Sequence, residues 1–308
     1  MKLAFFQGCN IPIRIEQYAT SLEAVLSKFG VSLVEIKEFT CCGYPIRNVD
    51  EKSYILPSVR NIALAEAEGL DILVACNCCF ASLQKAKHMM ERLPSLKAEV
   101  NEILDKEGLV YHGTAQIKHF LTVLHEDVGI EQIKKVLVNR YTELNLSVIQ
   151  GCHILRPREV TTFDDSFVPK ITDNLVQVTG ARSLDWQGKL ECCGAALSGI
   201  NNELSAALLN EKVDRAIEAG AEYLTPVCAY CYLQFDTAQA NMRASGQQSI
   251  PVLLYSQLLG LVLGIDEKQL GIELNSTINS RHISHLKSIL GPPVEEKKKR
   301  KKKAKTTA

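Results

Sequence analysis

The chain has 308 residues, 46% of them hydrophobic and 6% aromatic, with ordinary Gly and Pro contents. This excludes collagenous and disordered classes and suits one large or two smaller packed cores. The formal charge is zero, but eight of the 35 basic residues lie in Lys297–Lys305, leaving 27 basic against 35 acidic residues in 1–296, so nucleic-acid binding by bulk charge is excluded.

Lys2–Phe6 reads as a buried strand ending at Gly8-Cys9. Gln7 and Cys9 cut this apolar run too short for a secretory signal, and no window approaches about 18 apolar residues, so we expect a cytoplasmic chain without a transmembrane segment. Apolar spacing predicts a helix over Ile13–Phe29 with Gly30 as its stop, then a strand at Val31–Ile36. Cys41-Cys42-Gly43 follows in a loop, then a helix over Tyr54–Gly69 and a strand over Leu70–Ala75. That strand runs into Cys76-Asn77-Cys78-Cys79 and a helix reaching Arg92, which Pro94 breaks. Ser95–Glu107 and Ala115–Asn145 read as mainly helical connections.

At Leu146–Gln150 the pattern starts again: strand, Gly151-Cys152, a helix over Ile171–Val178, and Cys192-Cys193-Gly194 in a loop. A helix over Glu203–Gly220, a strand over Glu222–Pro226 and Cys228-Ala229-Tyr230-Cys231 follow; Pro251–Tyr255 reads as a last strand, with a Leu-rich helix after it at Ser256–Gly264. Cys9 and Cys152 are 143 residues apart, Cys41 and Cys192 are 151 apart, and Cys76 and Cys228 are 152 apart. So regular an offset marks an internal duplication. We expect an α/β fold of two doubly wound units, an N-terminal domain at 1–145 and a C-terminal domain at 146–290, followed by a basic tail at 291–308. Lys297–Lys303 should repel itself into solvent.

Ten of the eleven cysteines belong to the doubled pattern, and with no export signal they are expected as thiols or metal ligands rather than disulfides. Zinc could use the two C-x-x-C pairs, Cys76/Cys79 and Cys228/Cys231, but this leaves Cys9, Cys41, Cys42, Cys152, Cys192 and Cys193 idle. A thioredoxin-type pair would have no use for three further cysteines per half. Iron–sulfur clusters take thiolates as standard ligands, although five per half exceeds the four of a cubane. A thiolate bridging two irons would use the surplus.

The spacing of Cys, Cys-Cys-Gly and C-x-x-C, found twice, resembles the CCG-domain family and in particular the catalytic B subunits of heterodisulfide reductase. Phe5-Phe6-Gln7-Gly8-Cys9, Cys76–Leu83, Gly151–Pro157 and Cys228–Asp236 carry the likeness, which spans about residues 1–265. It implies two Rossmann-like CCG domains facing each other about a pseudo-twofold axis. It further implies two noncubane [4Fe-4S] clusters, one on Cys9, Cys41, Cys42, Cys76 and Cys79, the other on Cys152, Cys192, Cys193, Cys228 and Cys231. Cys78 departs from the family pattern as an unligated neighbour or a competitor of Cys79; Cys79 is favoured because its spacing matches the second half.

The implied reaction is two-electron cleavage of a disulfide to two thiols, or its reverse, catalysed through those ten cysteines' clusters. Electrons would come from a ferredoxin-like iron–sulfur subunit and a flavin-containing subunit, since no nucleotide-binding signature is present in this chain. The substrate would be a small or carrier-protein-bound disulfide or thiol. His153, beside Cys152, is a candidate for moving protons, with an orienting role as the plainer reading. The competing function is an electron relay without disulfide chemistry, as in CCG subunits of succinate or glycerol-3-phosphate dehydrogenase systems.

Overall fold

The computed structural model describes residues 1–292 except 245 and 247, so the Lys297–Lys303 tail lies outside the described residues. The first half runs β1 (Lys2–Phe6), α1 (Ile11–Arg14), α2 (Glu16–Ser27), β2 (Ser32–Val34), α3 (Glu51–Ala67), β3 (Asp71–Val74), α4 (Asn77–Arg92), α5 (Pro94–Leu104) and β4 (Ile117–His119). Its sheet is parallel throughout, in the order β2-β1-β3-β4. α6 (Phe120–Thr122), a π-helical stretch at Val123–Gly129, α7 (Ile130–Val136) and β5 (Arg140–Tyr141) lead out of it.

The second half repeats the plan with β6 (Asn145–Ile149), α8 (Arg158–Thr161), α9 (Ile171–Val178), β7 (Arg182–Ser183), α10 (Asn202–Glu218) and β8 (Tyr223–Pro226). Its parallel sheet is ordered β7-β6-β8. α11 (Ala229–Leu233), α12 (Gln239–Ala244), α13 (Tyr255–Val262), α14 (Ser280–Ser288) and β9 (Leu290–Gly291) follow, and β9 pairs antiparallel with β5. Central strands β1 and β6 bury four of their five residues each, as strands covered on both faces must.

Three expectations change. The Ala115–Asn145 connection is helical over Phe120–Val136 as expected, but its start is a strand, because Ile117–His119 pairs with β3 as the fourth strand of the first sheet. The Ile13–Phe29 helix is interrupted at Ile15, which has φ −147° and separates α1 from α2. The Pro251–Tyr255 strand shrinks to one parallel bridge between Val252 and Leu224. Side chains replace the missing ladder there: the Val252 N–H donates to Thr277 Oγ1 (2.9 Å) and the Leu254 N–H to Gln257 Oε1 (3.1 Å).

The halves exchange helices. Every residue of α13 is buried, its two polar side chains included, so the helix is covered on all sides. It packs on α2 of the first half, where Ser256 and Ser21 hydroxyls bond at 2.6 Å. In return α6 and α7, which follow the first sheet, pack on α9 of the second. The Tyr255 hydroxyl, donating to the Leu175 carbonyl (2.8 Å), ties α13 to α9 as well.

Candidate functional site

Each sheet reverses its strand order between its first and third strands, and in doubly wound sheets the crevice beyond the carboxyl ends at that point is where ligands sit. The cysteines converge there. Cys9 follows β1 and Cys76 follows β3; Cys152 follows β6 and Cys228 follows β8. Cys76 caps the N-terminus of α4 and Cys228 that of α11, with Cys79 and Cys231 in the first turns.

The two Cys-Cys-Gly loops have the same shape. Gly43 at φ +84° and Gly194 at φ +80° are left-handed, and each opens one 3₁₀ turn, Tyr44–Ile46 or Ala195–Leu197. This bend delivers both preceding thiols to the crevice. Gly8, at φ +67°, brings the backbone so close to Cys79 that a Cβ there would lie 2.8 Å from its Sγ.

All eleven cysteines are free thiols. In the first half the sulfurs are neighbours in the order Cys9, Cys41, Cys42, Cys79, Cys76. In the second the order is Cys152, Cys192, Cys193, Cys231, Cys228, with Cys193 and Cys231 sulfurs 3.2 Å apart. Charge collects at the same place in each row. Thiols of Cys42 and Cys9 pull Cys41 down to about 2, and those of Cys152 and Cys193 pull Cys192 down to about 2. Their partners move the other way: Cys41 pushes Cys42 up to about 12, and Cys192 pushes Cys193 up to about 12.

The rows meet at their inner ends, where Cys76 and Cys228 sulfurs are 3.9 Å apart. Cys78 sits at this junction, its sulfur within 4.8 Å of both. Its position in the second half is taken by Tyr230. A cavity of about 360 Å³ opens beside the first row and is walled by Arg14, Tyr44, Arg47, Cys78 and Tyr230. A much smaller one, about 20 Å³, lies against the second row and His153.

The structure brings His153 into this junction. Its Nε2 lies 2.7 Å from Arg47 Nη1 and 3.3 Å from the Tyr44 hydroxyl. A guanidinium can only donate, so Nε2 accepts and the proton of neutral His153 resides on Nδ1. Nδ1 faces sulfur, 3.4 Å from Cys152 and 3.8 Å from Cys78. Burial and then Arg47 lower the His153 pKa, favouring this neutral form.

Sequence reasoning missed the residues that hold the loops. Asn61 of α3 accepts from the Thr40 N–H (2.9 Å) and donates to the Thr40 carbonyl (3.1 Å). Lys212 of α10, 2% exposed, donates from Nζ to the Gly188 carbonyl and to the Glu191 carbonyl (2.9 Å). Burial lowers the Lys212 pKa, while Cys231, Cys193, Glu191 and Cys192 oppose that shift. Arg14 and Arg47 were equally unflagged; neither has a carboxylate partner among the described residues.

These rows fit a thiolate-ligated cluster. Each offers five sulfurs with no competing disulfide, in the all-sulfur donor chemistry that iron–sulfur groups take. The fully buried Tyr18 hydroxyl has no protein partner and lies in the field of Cys228, Cys76 and Cys231, leaving a donor for sulfur to satisfy.

Residues 3–84 and 146–236 each match the CCG family, described as a cysteine-rich domain. The B subunit of a Methanosarcina acetivorans ferredoxin/F420H2-dependent CoB-CoM heterodisulfide reductase is 34% identical over 295 residues, covering 94% of this chain and 98% of that protein. The 8-methylmenaquinol:fumarate reductase membrane anchor subunit of Wolinella succinogenes is 31% identical, covering 89% of this chain and 96% of its own length. A hypothetical protein from Helicobacter pylori shares the fold with a TM-score of 0.70 at 16% identity, covering 91% of this chain; the chain spans only 52% of that one. Among the described residues, no helix is long and apolar enough to cross a membrane.

Proposed function

Because this chain belongs to the CCG-domain family of heterodisulfide reductase B subunits, it is an iron–sulfur redox subunit of a multisubunit oxidoreductase, and we propose that it cleaves a disulfide, or forms one, between its two cysteine rows. The observation that carries this reading is the approach of the rows to 3.9 Å at Cys76 and Cys228, with a substrate-sized cavity beside them. In the reducing direction a disulfide takes up two electrons and two protons and leaves as two thiols.

Cys9, Cys41, Cys42, Cys76 and Cys79 would hold one noncubane [4Fe-4S] cluster, and Cys152, Cys192, Cys193, Cys228 and Cys231 the other. When bound, these clusters supply one electron each and iron sites for product thiolates. The electrons would be delivered by a ferredoxin-like iron–sulfur subunit and a flavin-containing subunit. The chain's own residues arrange the substrate. Arg14 and Arg47 give the cavity two cations for an anionic group on one arm of the disulfide. Tyr44 and Tyr230 wall the cavity, and His153 holds a proton on Nδ1 beside the junction.

Anaerobically purified protein should be brown with roughly eight irons per chain, and its EPR signal should change on titration with a disulfide or thiol. The Wolinella relative, named as part of a fumarate reductase, favours a second reading in which the clusters only relay electrons. A signal indifferent to every thiol and disulfide selects that relay, and a colourless zinc protein discards both.

Two residue roles can be read by kinetics. A charge-assisted hydrogen bond contributes about 1.5–3 kcal/mol, and Arg14 is partly solvated, so Arg14→Gln should raise KM about tenfold for anionic disulfides and leave neutral ones unchanged. His153→Gln keeps the ring's polarity without its titration. It should lower kcat by about 10²-fold, as loss of a proton-transfer group does, and should remove the limb of the pH profile that the lowered His153 pKa places below the ordinary histidine range; an unchanged profile removes His153 from proton transfer.

A further inference from the structure

The offset of 151 residues that relates Cys41 to Cys192 also relates Asn61 to Lys212. Both side chains are buried, both project from the helix that follows a Cys-Cys-Gly loop, and both hold the backbone leading into it. Asn61 bonds Thr40 and Lys212 bonds Gly188 and Glu191, the residue before Cys192. One repeat therefore uses a neutral amide where the other uses a buried cation.

We propose that Lys212 makes the cluster of the second cysteine row the higher in reduction potential, so that electrons reaching this chain collect there before the first row. This rests on the two-cluster reading above. Reduction adds negative charge to a cluster, and a cation fixed nearby stabilises the reduced form; net charge and solvent access are among the levers that set such potentials. Lys212 has almost no water around it, so its field is little screened, whereas Arg14 and Arg47 beside the first row face the open cavity. Lys212 lies on the loop side of its row, away from that cavity, and is thus a positioning and tuning residue with no contact to substrate.

The test is a potentiometric titration of the EPR signals, made on chains that keep one row each: Cys193→Ala, which retains the first, and Cys42→Ala, which retains the second. We expect the second row to reduce at the higher midpoint. Lys212→Gln in the Cys42→Ala chain should move that midpoint down, with Lys212→Arg restoring it, and in the Cys193→Ala chain should leave the first row unmoved. Equal or reversed midpoints, or a Lys212→Gln chain with full iron and an unshifted midpoint, overturn the inference while leaving the clusters in place. If Lys212→Gln fails to retain iron, the ordering of the two single-row chains decides alone. Absence of any iron signal in the parent chain discards the cluster reading itself.

Discussion

Cys193→Ala should purify with about half the iron of the parent chain, roughly four of eight atoms, and with disulfide turnover at background. Cys193 is the middle of its row, 3.2 Å from Cys231 and beside Cys192. Its removal opens the row at the point where no neighbouring cysteine can substitute. The first row is intact and should keep its spectrum, so Cys42→Ala gives the mirror result. On the proposed chemistry turnover should disappear in both, because cleavage would draw one electron from each row. Cys78→Ser is the control. Cys78 touches the inner ends of both rows, Cys76 and Cys228, whereas Cys79 sits within the first row between Cys42 and Cys76, so Cys78→Ser should retain full iron and Cys79→Ser should lose half. Iron assay and Mössbauer spectra read all four; equal iron loss in Cys78→Ser and Cys79→Ser would exchange their assignments.

Gly43→Ala should be the most destabilising single methyl in the chain's first half. Its φ of +84° already disfavours an L side chain, by about 1 kcal/mol. The larger cost is contact: a Cβ would stand 2.4 Å from the Tyr54 carbonyl oxygen, which belongs to the backbone of α3 and cannot swing away. Total loss should reach about 3 kcal/mol or more, with the first row distorted and its iron lost. Gly30→Ala separates the two contributions. At φ +70° and with nothing within 4 Å of the added carbon, it should cost only about 1 kcal/mol. Denaturant melts of the two variants, side by side, check the difference. Similar midpoints would show that α3 yields.

The doubled cysteine pattern was legible because its information is one-dimensional: fixed spacings between residues whose chemistry is narrow. The strand before each solitary cysteine, and the glycine after each pair, could be read the same way. β4 could not. Ile117, Phe120, Leu121 and Leu124 fall at helical intervals, and the strand that holds Ile117 is only three residues long with Lys118 at its centre. Its identity comes from pairing with β3, a tertiary fact. Lys212 was hidden for a related reason. In an Ala/Leu/Glu-rich helix a lysine reads as solvated surface, and only the fold shows that α10 turns it inward on to two carbonyls. The His153 tautomer likewise depends on Arg47, 106 residues away in sequence.

The crossed packing of α13 on α2 and of α7 on α9 bears on what one repeat could do by itself. A single repeat would carry a helix buried on every side with no host, or a first helix with no cover, so it would expose what it needs to bury. The smallest folding unit of this design is therefore the pair, whether as two identical chains or as one fused chain. Face-to-face sulfur rows follow from that pairing before any iron is inserted, and fusing the copies frees each row to change independently, as Asn61 and Lys212 have.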